Sequence, residues 1–266
     1  MLNSSHANLP SLSVVIPCLN EEDNLKSIAL RTLQAFIKYE IKGELIIIND
    51  GSSDNTGVVA LELSRQHSSV RVIEHNKPHG IGASFWDGVH AAKNDFVVLL
   101  PGDGEIEPED ALVYYHLTTD VDIVVPFIHN VEVRSIWRRV ISSIYRFIIN
   151  MSFGTNLNYT NGTVIYNRAI LDGITLKSKG FLYQAELLIN LIRAGYLYAE
   201  TPHFLMPRNA GETKALTFKS FLQVVNSYLV LMWEVHAARR MGRPGIISSS
   251  QSVTYRRQMA WREHQK

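Results

Sequence analysis

Leu12-Ser13-Val14-Val15-Ile16-Pro17-Cys18-Leu19-Asn20-Glu21-Glu22 and, further on, Leu45-Ile46-Ile47-Ile48-Asn49-Asp50-Gly51-Ser52-Ser53-Asp54 decide the architecture of this chain. Each is a short apolar run that stops at turn-forming and acidic residues, as expected of a strand buried on both faces of a parallel sheet. The strands read as Leu12–Ile16, ended by Pro17, and Glu44–Asn49. Between them Leu25, Ile28, Ala29, Leu33 and Phe36 recur at helical spacing, with Asn20 placed to cap the helix. The turn Asp50-Gly51-Ser52-Ser53 leads into a second helix through about His67. Outward from there come a strand at Val70–Glu74, a helix from Gly80-Ile81-Gly82 to Ala92, and strands at Phe96–Leu100 and Asp122–Pro126. Strand and helix alternating in this way predict an α/β fold, a mostly parallel sheet flanked by helices.

After Phe127 the character changes. A helix is expected over Arg134–Phe153, a strand at Gly162–Tyr166, a helix at Tyr183–Ala194, a strand at Tyr198–His203 and a last long helix over Phe218–Arg240. The chain beyond Gly242 reads as loosely structured, and from Arg239 to Lys266 it carries seven Arg/Lys against one acidic residue, Glu263. The expected divisions are a polar segment 1–10, a first half 11–127, a second half 128–216, and a C-terminal helix with a basic tail, 217–266.

A chain of 266 residues, 46% hydrophobic and 19% charged, can bury a substantial core as one large domain. Its net charge of +1 excludes a general nucleic-acid binder, which would be clearly basic. The single cysteine, Cys18, excludes an internal disulfide framework and fits a reducing compartment. Met1–Pro10 is polar, without the basic and apolar regions of a signal peptide. No stretch reaches the ~18 apolar residues of a membrane-spanning helix. The expectation is a cytoplasmic protein, free to touch a membrane surface.

Ligands of open parallel sheets bind beyond the carboxyl ends of the strands. Three strand ends deliver polar and acidic residues there: Pro17 to Glu22, Asn49 to Asp54, and Pro101-Gly102-Asp103-Gly104-Glu105. Crowded carboxylates repel unless something positive or hydrogen-bonding lies between them, and a hard divalent cation with a hydroxyl-rich nucleotide meets that need. Taken alone, Pro17 and Gly51 read as strand terminators and Asp50 as a turn former. Asp54, Glu107, Glu109 and Asp110 read as helix-start charges.

In order and spacing, Val14-Val15-Ile16-Pro17-x-x-Asn20-Glu21, then Ile47-Ile48-Asn49-Asp50-Gly51-Ser52-Ser53-Asp54-x-Thr56, resemble the start of family 2 glycosyltransferases with the GT-A fold. His75-Asn76-x-x-His79-Gly80-Ile81-Gly82-Ala83 resembles the next stretch of that family. Arg138-Arg139-x-x-Ser142, Asn161-Gly162, Gly180-Phe181-x-x-Gln184-x-Glu186 and Arg208-x-x-Gly211-x-Thr213-Lys214 continue in the manner of dolichol- and polyprenyl-phosphate sugar synthases.

The resemblance implies a Rossmann-like GT-A domain with C-terminal amphipathic helices. It implies an inverting transfer from a nucleoside diphosphate sugar to a polyprenyl or dolichyl phosphate, with Mg²⁺ or Mn²⁺ as cofactor. Pro17, Asn20, Glu21, Asp50 and Gly51 match the part that holds the donor nucleoside. Asp103 and Glu105 match the metal-binding region. Arg208 and Lys214 match a basic pair reaching phosphates, and Arg138 or Arg139 with Ser142 matches the part that receives an acceptor phosphate. The family's Asp-x-Asp is replaced here by Pro101-Gly102-Asp103. Because the family's first Asp directly follows the apolar strand, Pro101 is read in its place and Asp103 as the second; the alternative register makes Asp103 first and Glu105 second.

Arg134, Arg138, Ser142 and Arg146 are four apart and form one cationic stripe on an otherwise apolar helix. Such a helix suits either a core with one solvated side or a membrane interface; the interfacial reading is preferred, which puts the protein peripherally on the cytoplasmic face of a membrane. Arginine pairs with phosphate, so the stripe also suits a lipid phosphate. A sugar hydroxyl as acceptor would need a general base, with Glu186 in reserve. A nucleotidyltransferase would carry a Gly-rich basic loop at Pro17–Asn20, and a non-catalytic nucleotide-sugar-binding protein is the remaining alternative. Assembly with further copies of the chain is left open.

Overall fold

The computed structural model describes residues 9–172, 174, 182–204, 225–226, 228–233, 235 and 249–265. Its elements run β1 (Leu12–Cys18), α1 (Leu25–Lys38), β2 (Gly43–Asn49), α2 (Thr56–Gln66), β3 (Val70–Glu74), α3 (Ile81–Ala91), β4 (Phe96–Leu99), α4 (Pro108–Leu112), β5 (Ile123–Ile128), α5 (Ile136–Phe153), β6 (Ile165–Asn167), α6 (Tyr183–Arg193), β7 (Tyr198–His203) and α7 (Val253–Glu263). The seven-stranded sheet has the order β3-β2-β1-β4-β6-β5-β7. β3, β2, β1 and β4 are parallel, β6 runs antiparallel to both β4 and β5, and β5 is parallel to β7. Two reversals across β6 therefore return β5 to the direction of β1 and β4.

The continuous apolar runs are explained by burial on both faces. Val14, Ile16, Leu45, Ile47 and Val98 point to one side, where they meet Leu25, Ile28 and Phe36 of α1 and Ala60 and Leu63 of α2. Val15, Ile46, Ile48, Val97 and Leu99 point to the other, against Phe85 and Val89 of α3 and Leu187, Leu188 and Leu191 of α6. Each fully buried aliphatic side chain contributes about 1.5–3 kcal/mol relative to exposure. A third cluster joins Ile149 and Phe153 of α5 to Ala185 and Ile189 of α6 and to Leu231 and Val235. Residues 228–233 are helical, inside the long helix expected over Phe218–Arg240.

Three local expectations are corrected. Asn20 does not cap α1; it has φ 60, and the N-cap is Asn24. The strand expected at Gly162–Tyr166 is shorter and later, at Ile165–Asn167, because pairing with β4 and β5 begins only at Ile165, while Gly162 lies against Pro126, where a Cβ would come within 2.9 Å of its ring. The end expected to be loose carries α7.

The cause of that last difference lies 131 residues upstream. Asp122, fully buried before β5, accepts the N–H groups of Val253 (2.7 Å) and Thr254 (2.9 Å) and the Thr254 hydroxyl. It also accepts from Asn167 Nδ2 at 3.1 Å. A carboxylate on the first-turn N–H groups both satisfies them and complements the helix dipole. Asp122→Ala should therefore lower stability by about 2 kcal/mol or more in urea unfolding, combining a lost cap with stranded buried donors. It should also release α7 to limited proteolysis; unchanged unfolding and cleavage would contradict this anchor.

Candidate functional site

Because β1, β2 and β4 are parallel, their carboxyl ends emerge on one edge, and side-chain hydrogen bonds bind the emerging loops together. Asn20 N–H donates to Ser52 Oγ (3.0 Å), and its Oδ1 accepts Ser53 N–H (2.8 Å). Glu21 N–H donates to Thr56 Oγ1 (2.8 Å), and Glu22 accepts Asn55 N–H (2.9 Å). Asn20 and Gly51 act here through loop shape. Gly51 has φ +74, and a Cβ there would come within 2.6 Å of the Lys77 backbone. Beyond β4 the chain stays beside β1, with Leu100 N–H on Val15 O (2.9 Å) and Gly102 N–H on Pro17 O (3.3 Å). A Cβ at Gly102 would lie 2.7 Å from Cys18 Sγ, so only glycine admits this approach.

Asp50, 4% exposed, is the buried carboxylate of this edge. Its Oδ1 meets His75 Nδ1 at 2.7 Å and accepts His79 N–H at 2.8 Å, while Oδ2 accepts Gly80 N–H at 2.9 Å. Burial pushes its pKa up, but the hydrogen bonds from His75, His79 and Gly80 outweigh it and hold the carboxyl below the usual aspartate range. The other His75 nitrogen, Nε2, lies 3.1 Å from Asp87 Oδ2, and the His75 and His79 rings stack at 4.4 Å.

Together these loops wall a cleft of about 230 Å³, lined among others by Pro17, Glu21, Asp50, Gly80, Pro101, Gly102 and Asp103. Asp103 is exposed towards solvent and accepts Glu105 N–H at 3.0 Å; Glu105, also exposed, follows on the same turn. Burial drives the Cys18 thiol far above its usual range, and the Glu21, Asp103 and Asp54 carboxylates raise it further. The cleft floor thus sits in negative potential, which a cation would relieve. Glu107 is the N-cap residue of α4 and Glu109 and Asp110 lie in its first turn, as the helix-start reading expects; Glu107 and Glu109 also pair with Arg31 and Lys38.

A second hollow, about 420 Å³, opens where β5 ends. Its lining includes Arg134, Arg139, Ser142, Arg146, Asn158 and Tyr159. Arg134 lies over the Tyr159 ring at 5.8 Å, and Arg146 donates to Asn158 O at 3.4 Å. Arg138 is not among the lining residues. The stripe drawn through Arg134, Arg138, Ser142 and Arg146 is thus redrawn: α5 starts only at Ile136, so Arg134 arrives from the preceding loop, while Arg139, Ser142, Ser143 and Arg146 share one helix face. The rest of α5 is largely exposed, Trp137 by 78% and Met151 by 70%, with only Ile149 and Phe153 buried.

Glu186 is buried on α6 and lines neither hollow. Arg208 and Lys214 lie outside the described residues. The reading of the sequence missed the partnership of His75 and Asp87 with Asp50. His75 and His79 are four apart in a segment that is not helical, so periodicity gives no reason to join them.

Comparison with known proteins adds to this geometry. The family described as glycosyl transferase family 2 matches residues 13–175. The chain is 27% identical over 244 residues to a dodecaprenyl-phosphate galacturonate synthase of Rhizobium johnstonii, covering 88% of this chain and 71% of that protein. It is 29% identical over 217 residues to a polyprenol monophosphomannose synthase of Mycolicibacterium smegmatis, covering 76% and 79%. In fold it is similar to the glucosyl-3-phosphoglycerate synthase of Mycobacterium tuberculosis, solved in complex with Mn²⁺, uridine-diphosphate-glucose and phosphoglyceric acid. That likeness has TM-score 0.62 at 19% identity, over 84% of this chain and 80% of the other. With most of its length inside the match, and the GT-A-like sheet to carry it, the chain belongs to glycosyl transferase family 2.

Proposed function

We propose that this enzyme moves a sugar from a nucleoside diphosphate sugar onto a polyprenyl-type lipid phosphate, inverting the anomeric carbon in one displacement. The observation that carries this reading is the second hollow, where Arg134, Arg139 and Arg146 converge beside the exposed apolar face of α5. An anionic headgroup suits the hollow and an aliphatic chain suits the face. Guanidinium groups pair with phosphate oxygens in two-pronged hydrogen bonds, and the apolar face favours the headgroup region of a bilayer. The relatives named dodecaprenyl-phosphate galacturonate synthase and polyprenol monophosphomannose synthase support the same acceptor class. Among the described residues no helix is long and apolar enough to cross a membrane, so we place the enzyme at a membrane surface through α5 and its basic tail.

In this reading Pro17, Glu21 and Asp50 hold the donor nucleoside in the first cleft. Mg²⁺ or Mn²⁺ fits the residues at its mouth, since such ions take one or two carboxylates and complete their shell with water and phosphate oxygens. Asp103 would hold it, with Glu105 on the same turn. Bound there, the ion supplies stabilisation of charge on the leaving diphosphate. That Pro101 and Asp103 line the cleft while Glu105 does not favours the register with Pro101 at the first acidic position. Arg208 and Lys214 are assigned to the donor phosphates. A lipid phosphate is already anionic at neutral pH and attacks without a general base. Both hollows open at the carboxyl edge of strands running in one direction, which supports a donor and an acceptor bound on one side of the sheet.

Asp103→Asn keeps the side chain's shape but removes an anionic oxygen ligand. Turnover should fall by at least about 100-fold, with weaker Mn²⁺ binding by paramagnetic resonance; full activity in the presence of chelator would refute the assignment. Arg139→Ala and Arg146→Ala should each raise KM for the lipid phosphate by about 10-fold or more, the worth of a charged hydrogen bond. Affinity for the nucleoside diphosphate should stay within about twofold of wild type. A loss of donor affinity with unchanged KM for the lipid would contradict the placement of the acceptor.

A further inference from the structure

We propose that Asp50, His75 and His79 form a binding site for a borderline transition-metal ion such as Zn²⁺, at the wall of the first cleft and chemically separate from Asp103. Each of the three offers a ligand atom, and these atoms lie within 4.8 Å of one another. Two imidazoles and one carboxylate are the donor set that Zn²⁺ accepts and that Mg²⁺, which prefers oxygen alone, does not.

Three further features point the same way. First, Asp87 Oδ2 lies 3.1 Å from His75 Nε2 and so turns Nδ1 towards Asp50. A carboxylate on the far nitrogen is the usual support of a metal-binding histidine, because it fixes the ring and raises its basicity. Second, the backbone N–H of His79 is tied to Asp50 at 2.8 Å, while its side chain is exposed and stacks on His75 at 4.4 Å. The main chain is thereby held in place, and the ring can swing about its own torsions to close on an ion. Third, Asp50 keeps two backbone donors, His79 N–H and Gly80 N–H, whichever partner stands opposite its Oδ1. A carboxylate has about four lone-pair sites, so metal ligation and these bonds are compatible.

Zinc bonds of about 2.0–2.2 Å bring ligand atoms of a tetrahedral site to roughly 3.4 Å from one another. The His75 Nδ1–Asp50 Oδ1 contact, 2.7 Å without the ion, widens to that separation, and the remaining closure, of the order of an ångström, falls on the exposed His79. The ion takes the place of the Nδ1 hydrogen of His75, which leaves to solvent, and His75 keeps its Nε2–H on Asp87. Water fills the fourth position.

A consequence rests on the donor-binding role proposed for Asp50: Zn²⁺ and the donor nucleoside compete for one carboxylate. The metal site itself does not depend on that role.

The test is a calorimetric titration of the full chain with Zn²⁺ in the absence of nucleotide, with Co²⁺ as a spectroscopic substitute. One equivalent should bind, with a tetrahedral Co²⁺ visible band, and excess Mg²⁺ should not displace it. His79→Ala, at an exposed position, should weaken binding at least about 10-fold, and Asp87→Asn by about 10–100-fold. Equal Zn²⁺ affinity in wild type and His79→Ala, or displacement by Mg²⁺, would overturn the site. Uridine, which lacks a chelating diphosphate, is the competing probe: Zn²⁺ should reduce its affinity. Zinc bound at the site with uridine affinity unchanged would leave the metal site standing and refute Asp50 as a nucleoside ligand.

Discussion

Asp50 is a carboxylate almost removed from water, and the geometry of the first cleft follows from how its charge is satisfied. Three donors from a single loop, the His75 ring and the His79 and Gly80 N–H groups, converge on its two oxygens. That convergence ties the end of β2 to the start of α3. Gly80, at φ 93, is the residue that lets the chain turn into α3 while offering its N–H to Asp50. The same loop would drift if the carboxylate were lost, and the cleft would lose a wall. Burying such a charge is tolerable only because it is fully hydrogen-bonded, and its depressed pKa is the measure of that compensation. Since the folded-state value lies below the unfolded one, the stabilisation from Asp50 is present at neutral pH and is lost as pH falls through that depressed value.

The second constraint is directional. β6 runs against both of its neighbours, so β5 ends on the same edge as β1 and β4. A polar cleft and a cationic hollow thus open on one side of a single sheet. The two differ in charge: carboxylates of Glu21, Asp50 and Asp103 at the first, guanidinium groups at the second. A transferase that moves a sugar from a metal-bound diphosphate onto a separate anionic acceptor needs this separation, because two anions approach each other only when each is neutralised by its own partner.

Much of the first half could be read from sequence for a simple reason. Strands buried on both faces have no polar face, so Leu12–Ile16, Glu44–Asn49 and Phe96–Leu100 stand out as apolar runs, and their ends locate Asp50 and Asp103. β6 escaped accurate placement because three paired residues are too few to show a period. α7 escaped altogether: it is a polar helix whose start is fixed by Asp122, far away in the chain, and no local pattern records such a bond. The choice between Arg138 and Arg139 could not be made from spacing, since it depends on where α5 begins and on how Arg134 enters from the loop before it. His75 stands in a family-like stretch, but nothing local joins it or Asp87 to Asp50; their relation to Asp50 arises when the β3–α3 loop folds over the edge of the sheet.

The central claim is that the acceptor is a phosphate and not a hydroxyl. The measurement that tests it most directly is product analysis after incubating the full chain with a panel of nucleoside diphosphate sugars, a divalent cation and a polyprenyl phosphate, with the corresponding polyprenol in parallel. The account predicts a glycolipid formed from the phosphate alone, its sugar released by mild acid as expected of a glycosyl phosphate. An acid-stable glycoside formed equally from the polyprenol, or from a sugar acceptor in place of the lipid phosphate, would contradict it.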